Sequence, residues 1–456
     1  AKPVQNRINR LKRHLGETMT LDGREISYDE AITEVIQHCV RSANKKLQSG
    51  WQMTTNEIAL SYPATYTSAQ RQRLIELAEK ASLADGTQVH VSGTIAEPAA
   101  AGLDYLSRFG SDKETTVLVY DLGGGTFDLA LVALYPKGRT NGDGDYYYDI
   151  LAVDGLEDVG GGEFDEIMYQ LIEQKLQVPL NPSHKAALRA EAEKIKKDLT
   201  FDAYADAEVL YNNEYLTVRV TREEFETASR ELLMRTIEAT KKMFERHSNQ
   251  KPETIILTGG ASQMPMVKRA LEEAFPEYKG DEMKHKEDKI QISNPSRAIA
   301  DGAARYGTAE AMNDIAEKAE AVSVVQTRVG YDLGIRFYHS VDDESGYIST
   351  YIPAGTPIPY QAAYQNSTTL HEDQRYSGFT VYEANKAHPD SEQVAEDYTE
   401  IMKVSLDHGR GVPKGTRNES RLCIDKLGVL TIEAREADYP EKPIKSTVEL
   451  KNLSKS

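Results

Sequence analysis

The chain of 456 residues is poor in cysteine and in positive charge, and it has no long apolar run. Its only cysteines, Cys39 and Cys423, exclude a disulfide framework and a four-cysteine metal site. Lys and Arg number 54 against 72 Asp and Glu, which gives a formal net charge of −18. A phosphate backbone demands a basic surface, so general nucleic-acid binding is excluded, and an anionic membrane surface with it. A local anion site built from backbone N–H groups and one or two lysines is not excluded. No apolar stretch approaches the roughly 20 residues that span a bilayer. The segment Ala1 to Leu15 is basic and polar, without the apolar stretch of a secretory signal. The expectation is a cytoplasmic protein, in which the sequons at Asn366, Asn418 and Asn452 are chance. Also absent are a Walker loop, a G-x-G-x-x-G turn, an H-E-x-x-H pair and a G-x-S-x-G elbow.

The length suggests about three domain-sized units, and 39% hydrophobic with 28% charged residues is a globular composition. Residues 21–55 read as a short strand and a long helix. Ile58 to Tyr62 reads as a buried strand ended by Pro63, and Ser68 as the N-cap of a helix through Lys80. Thr116 to Asp121, a glycine turn, and Phe127 to Leu134 spell an antiparallel hairpin. Residues 184–200 form an amphipathic helix. Leu188, Ala192, Ile195 and Leu199 make its apolar stripe, and Glu193, Lys196, Lys197 and Thr200 make a polar stripe about 110° away at ~100° per residue. Thr221 and Glu224 form a capping box. From Val329 onward short strands, turns and prolines prevail, with a left-handed glycine expected at Gly428.

Three glycine turns carry the chemistry. Asp121-Leu122-Gly123-Gly124-Gly125-Thr126-Phe127-Asp128 lets a backbone approach phosphate closely, with Thr126 adding a hydroxyl and Asp121 placed to hold hydrated Mg²⁺. Gly160-Gly161-Gly162 opens a helix, whose N-terminus suits an anion. Gly259-Gly260 joins a strand to a helix and permits a flat ligand against the backbone. Glu97, before Pro98 and a run of alanines, is a carboxylate at a helix start. Each motif alone is more often structural. A spare hairpin glycine, a loop reversal, a tight strand–helix joint and a dipole-favoured acid would each explain one of them.

The order of these motifs resembles the Hsp70 chaperones over nearly the whole chain. Asp121 to Asp128 is similar to the family's second phosphate hairpin, and Glu97 to Ala101 to the segment before it. Gly160 to Asp165, Leu188 to Thr200, Gly259-Gly260, Asn294-Pro295 and Gly302 to Ala304 follow in the family's sequence. Tyr331 to Ile335, Pro357 to Pro359, Val381 to Glu383 and Gly411 to Pro413 resemble its peptide-binding β domain. The resemblance implies a two-lobed actin-like α/β ATPase domain over 1–312, a linker over 313–325 and an all-β sandwich over 326–456.

It also implies that Asp121 and Asp128 order Mg²⁺ through water, and that Gly123, Gly124, Gly125 and Thr126 hold phosphate oxygens. Glu97 would orient the attacking water. Gly160, Gly161 and Gly162 would line the phosphate and ribose side. Glu193, Lys196, Lys197 and Thr200 would reach the ribose and purine, and Gly259, Gly260 and Gln263 the adenosine. The implied cofactors are ATP or ADP with Mg²⁺, and K⁺ besides. The implied partners are extended apolar peptide segments, a J-domain co-chaperone and a nucleotide exchange factor.

The chain departs from the family in several places. Its first phosphate loop and first hairpin sheet are not found, and Ala261 and Gln263 stand where Ser and Arg are usual. Ser296 replaces an acid, Ala321 to Val325 is a weak substitute for the leucine-rich linker, and no segment up to Ser456 is expected to form the helical lid. Lys2, ahead of the similar segment Leu11 to Gly16, is matched to the catalytic lysine by position only. The expectation is therefore ATP hydrolysis in a complete parent protein and weak or no hydrolysis in this chain. The alternatives are an ATPase-poor peptide-binding co-chaperone or scaffold, and a sugar-kinase-type phosphotransferase, which would not need the β domain.

Overall fold

A computed structural model describes residues 11–21, 23–110, 113–136, 146–211, 214–281, 287–294, 297–315, 324–385, 389–441 and 443–447. A hairpin of β1 (Thr18–Leu21) and β2 (Arg24–Ser27) leads into α1 (Tyr28–Trp51). β3 (Glu57–Tyr62) and α2 (Ser68–Glu79) precede β4 (His90–Ala96), which runs parallel to β3 and passes directly into α3 (Glu97–Phe109). Two expectations are corrected here. β3 is half-buried rather than buried, with only Leu60 in the core, because it belongs to a two-stranded sheet open on one side. The cap of α2 is Thr67, whose side chain accepts from Gln70 N–H while the Gln70 side chain takes Thr67 N–H; Ser68 instead faces the β part of the molecule.

The main sheet contains β5 (Thr115–Leu122), β6 (Phe127–Pro136) and β7 (Tyr146–Leu156). Glycines 160 to 162 open α4 (Gly161–Leu176), followed by α5 (Pro182–Phe201), the hairpin β8 (Tyr204–Tyr211) and β9 (Glu214–Thr221), and α6 (Arg222–Arg246). The Thr221–Glu224 capping box at the head of α6 forms as the spacing predicts. β10 (Thr254–Thr258), α7 (Pro265–Ala274), β11 (Ile290–Ile292) and α8 (Ala298–Ile315) complete the α/β part. The described strand order is β11-β10-β5-β6-β7, extended by β12 (Val324–Arg328), which pairs parallel to β7. Val324 and Val325, expected at the end of a linker, are therefore strand. Residues 316–323 lie outside the described residues.

β5 and β6 are buried on both faces, so they read as continuous apolar runs rather than alternating ones. One face packs on α4, α5, α6 and α7 through Leu118, Tyr120, Phe164, Ile195 and Val267. The other packs on α3 and α8 through Val117, Val119, Leu103 and Tyr306.

The remaining strands are β13 (Leu333–Phe337), β14 (Tyr347–Ile352), β15 (Pro357–Ile358), β16 (Tyr360–Gln361), β17 (Gln365–Thr368), β18 (Gln374–Ala384), β19 (Tyr398–Val412), β20 (Arg417–Ile424), β21 (Leu430–Glu436) and β22 (Ile444–Thr447). One sheet runs β14-β13-β18-β19 and a second runs β16-β20-β21-β22 with β17 also on β20. Alternating apolar side chains of the two, such as Ile335, Val381 and Leu406 against Leu422, Ile432 and Ala434, share one core. Gly428 has φ +78° in the β20–β21 turn, as its position predicts. β15 returns to pair with β12, so the end of the main sheet is built from both parts of the chain. No described helix is long and apolar enough to cross a membrane.

Candidate functional site

The first glycine turn is held from several sides. Asp121 and Asp128 are cross-strand partners on β5 and β6, and Gly123 N–H donates to Thr126 O at 3.0 Å. Asp128 Oδ1 accepts from Ala64 N–H at 2.7 Å and its Oδ2 from the Thr126 hydroxyl at 2.5 Å. Asp121 is 4% exposed, and its Oδ1 has no hydrogen-bond partner. The N–H groups of Gly124 and Gly125, at the tip, make no hydrogen bond among the described residues.

Glu97, the first residue of α3, is also buried, and its carboxylate accepts from the Lys12 ammonium. Three carboxylates thus face one cation. Burial pushes the Asp121 carboxyl well above the usual range, Asp128 and Glu97 push it further, and Lys12 pulls it back. Burial raises Asp128 to about 7 despite the Thr126 and Ala64 hydrogen bonds, with Glu97 adding to the rise.

The second turn differs from the expectation. Gly161 N–H and Gly162 N–H donate to Gly123 O at 2.8 Å and Gly124 O at 2.9 Å. The first amides of α4 are thereby spent on the hairpin and are not available to an anion. A Cβ at Gly160 would fall 2.6 Å from Gly125 C, so the role of this glycine is to let two backbones touch. The third turn packs against the first: Ser262 Oγ accepts Leu122 N–H at 3.0 Å, and Gly259 adopts φ +80°. Any side chain on Gly259 would strike Asp121 Oδ1 and Leu122 O, whereas Gly260 faces open space. Gln263 turns back so that its Nε2 donates to Gly260 O at 3.5 Å.

These turns border a cleft of about 1630 Å³. Of the expected residues, Glu97, Gly123 to Thr126, Gly161, Gly162, Glu193, Lys196, Lys197, Thr200, Gly260 and Gln263 line it; Asp121, Asp128, Gly160 and Gly259 are packed behind the wall. Two lysines are committed within the protein. Lys196 Nζ donates to Gly161 O at 2.8 Å and pairs with Asp165 at 2.6 Å, and Lys197 pairs with Glu193 at 2.7 Å. The Thr200 hydroxyl donates back to Lys196 O at 3.4 Å.

Nothing in the sequence by itself gives Lys12 or Arg13 a role. Arg13 clamps Glu163 of α4 with two hydrogen bonds, at 2.8 and 3.0 Å, beside Gly125. The signal was the similar segment Leu11 to Gly16 itself, which contains this lysine and arginine. Lys2, matched by position instead, lies outside the described residues, as do Pro295 and Ser296.

A nucleotide with Mg²⁺ fits this donor set. The open amides of Gly124 and Gly125 suit phosphate oxygens, and Asp121 Oδ1 lacks any other partner. Among the described residues no three His, Cys, Asp or Glu side chains converge to hold a metal ion alone, so phosphate and water would complete its shell.

A family model described as "Hsp70 protein" matches residues 4–455. Members of that family generally bind ATP or ADP with Mg²⁺, peptide substrates and co-chaperones. With that match over almost the entire sequence, and glycine turns and carboxylates gathered at one cleft, the chain belongs to the Hsp70 family of chaperone-type proteins.

Proposed function

We propose that this Hsp70-family chain binds ATP or ADP with Mg²⁺ in the cleft and couples that binding to capture of extended apolar peptide by its β part. The observation that carries the reading is one hairpin with a buried, unpartnered Asp121 Oδ1 at its strand end and the open amides of Gly124 and Gly125 at its tip. Residues 1–312 form the nucleotide-binding unit in this reading, 326–456 the peptide-binding unit, and 313–325 the connection.

Mg²⁺, when bound, supplies neutralising charge on the phosphate oxygens. The chain's own residues do the rest. Asp121 and Asp128 would hold the metal through water, the Gly124 and Gly125 amides would take phosphate oxygens, and Lys12 stands near the carboxylates as the opposing charge. Glu97 orients water for attack. Calorimetry with ATP and with ADP, each with Mg²⁺, should give saturable binding that chelation abolishes; no heat with either nucleotide overturns the reading.

The Lys12–Glu97 contact favours a second reading, in which binding persists and hydrolysis is poor. A carboxylate held by an ammonium is a weaker acceptor for a water proton. Under the first reading Glu97→Ala should lower single-turnover hydrolysis tenfold or more with nucleotide affinity little changed, and under the second it should leave the already slow hydrolysis nearly as it is. An equal loss of both would make Glu97 a structural acid at the start of α3.

A further inference from the structure

Phe201 is the last residue of α5 and is 79% exposed, yet it lines the cleft together with Thr200, Gly260, Gln263 and Met264. Lys196 fixes α5 to the second glycine turn through its bond to Gly161 O. At ~1.5 Å of rise per residue, Phe201 lies ~7.5 Å farther along the helix axis. A ligand with its anionic end at Gly124 and Gly125, extended along α5, therefore brings its other end to Phe201. The last turn of α5 also adjoins the third glycine segment, because Lys196, Leu199 and Thr200 share a small void with Met264 and Pro265.

The neighbouring cations are poorly placed to cover a flat ring. Lys196 and Lys197 hold Asp165 and Glu193. Arg189, earlier on α5, stacks on Tyr169 at 4.6 Å and pairs with Glu166 at 3.3 Å. Gln263 has no planar charge to offer and folds onto Gly260 O. Among the residues lining this end of the cleft are an exposed aromatic ring, Phe201, and a glycine with open space before it, Gly260.

We propose that Phe201 stacks on the base of the bound nucleotide, so that base affinity here rests on an aromatic ring. The proposal rests on the nucleotide reading above. Once the phosphates are anchored, the ring trades water for a π-face, and it discriminates a nucleotide from its phosphate moiety alone. Base–aromatic stacking is sequence-tolerant, so the ring favours a purine for its larger face without reading its edges.

The test compares ADP with inorganic diphosphate, each with Mg²⁺, by calorimetry on the whole chain and on Phe201→Ala and Phe201→Trp. Phe201→Ala should bind ADP roughly 5- to 100-fold more weakly, as loss of one stacked base implies, and bind diphosphate like the parent. Its melting temperature should be unchanged, because the side chain is in water. Phe201→Trp should retain ADP affinity, and its emission, read against the parent's Trp51 signal, should change with ADP and not with diphosphate. Parent-like ADP affinity in Phe201→Ala overturns the proposal while leaving the nucleotide site intact. Failure of the parent chain to bind either ligand overturns the site itself and the proposal with it.

Discussion

At the scale of residues, the carboxylates of the first turn set the pH behaviour of the cleft. Asp128 is raised from 3.8 to about 7, chiefly by burial. Between those values the folded chain holds a proton that the unfolded chain has lost. Its contribution to stability is therefore complete below 3.8 and declines as pH rises toward 7. Asp128→Asn should remove that part of the slope. The amide oxygen can still accept Ala64 N–H, and the amide nitrogen can donate to Thr126. Melting curves from pH 5 to 8 should show the variant more stable than the parent at pH 8, by on the order of 1–4 kcal/mol. Mg²⁺-nucleotide affinity should fall in the same variant. A parent-like pH slope would show that Asp128 ionises freely in the fold.

At the scale of elements, the glycine turns divide into those required by packing and those required by space. Gly259 has a left-handed backbone and would drive a side chain into Asp121 and Leu122, so Gly259→Ala should destabilise the chain by roughly 2–4 kcal/mol. Gly260 has open space where its Cβ would be. Gly260→Ala should melt within a degree or two of the parent and bind nucleotide more weakly, as read by the same calorimetry. Equal loss of stability in both variants would mean that the turn tolerates no side chain at all.

The β sandwich has a comparable device between its sheets. Ser377 Oγ bonds His408 Nε2 at 3.0 Å, and His408 Nδ1 bonds Glu436 Oε2 at 2.9 Å. Asn418 Nδ2 donates to the same Ser377 oxygen at 3.0 Å. Ser377→Ala strips two buried neighbours of a partner, and urea unfolding should shift by about 1–3 kcal/mol.

At the scale of the molecule, the two parts of the chain meet through buried polar groups. Glu383 of β18 accepts from Ser68 N–H at 3.1 Å and from its hydroxyl at 3.4 Å, while Arg71 donates to the same hydroxyl at 3.0 Å. Thr94 Oγ1 donates to Leu427 O at 2.8 Å, and Arg328 of β12 grips Asp149 of β7 at 2.5 and 2.7 Å. Glu383→Ala leaves the buried Arg71 guanidinium without its compensating charge, a change that typically costs ~3–5 kcal/mol. Separation of the two parts relieves it, so small-angle scattering should report a larger radius of gyration for the variant. An unchanged radius with lowered stability would show that the interface holds without this pair.

The local features were legible in the amino acids because each is set within a few residues. The hairpin around Gly123 to Gly125, the apolar stripe of α5, the Thr221 capping box and the left-handed Gly428 all follow from short spacing and backbone sterics. A sequence neighbourhood alone misleads where distant elements meet. Its neighbours make Ser68 look like a cap although Thr67 does that work, and the start of α4 looks open to an anion although carbonyls of the first turn take the Gly161 and Gly162 amides. Lys12 meets Glu97 across 85 positions and Arg13 meets Glu163 across 150. Such pairs depend on how separate elements pack, and no periodicity encodes them. The same holds for Val324 to Arg328, whose short apolar start reads as linker. It became a strand only because β7 presents a free edge to pair with, and because a backbone brought there has no better partner for its N–H and C=O groups.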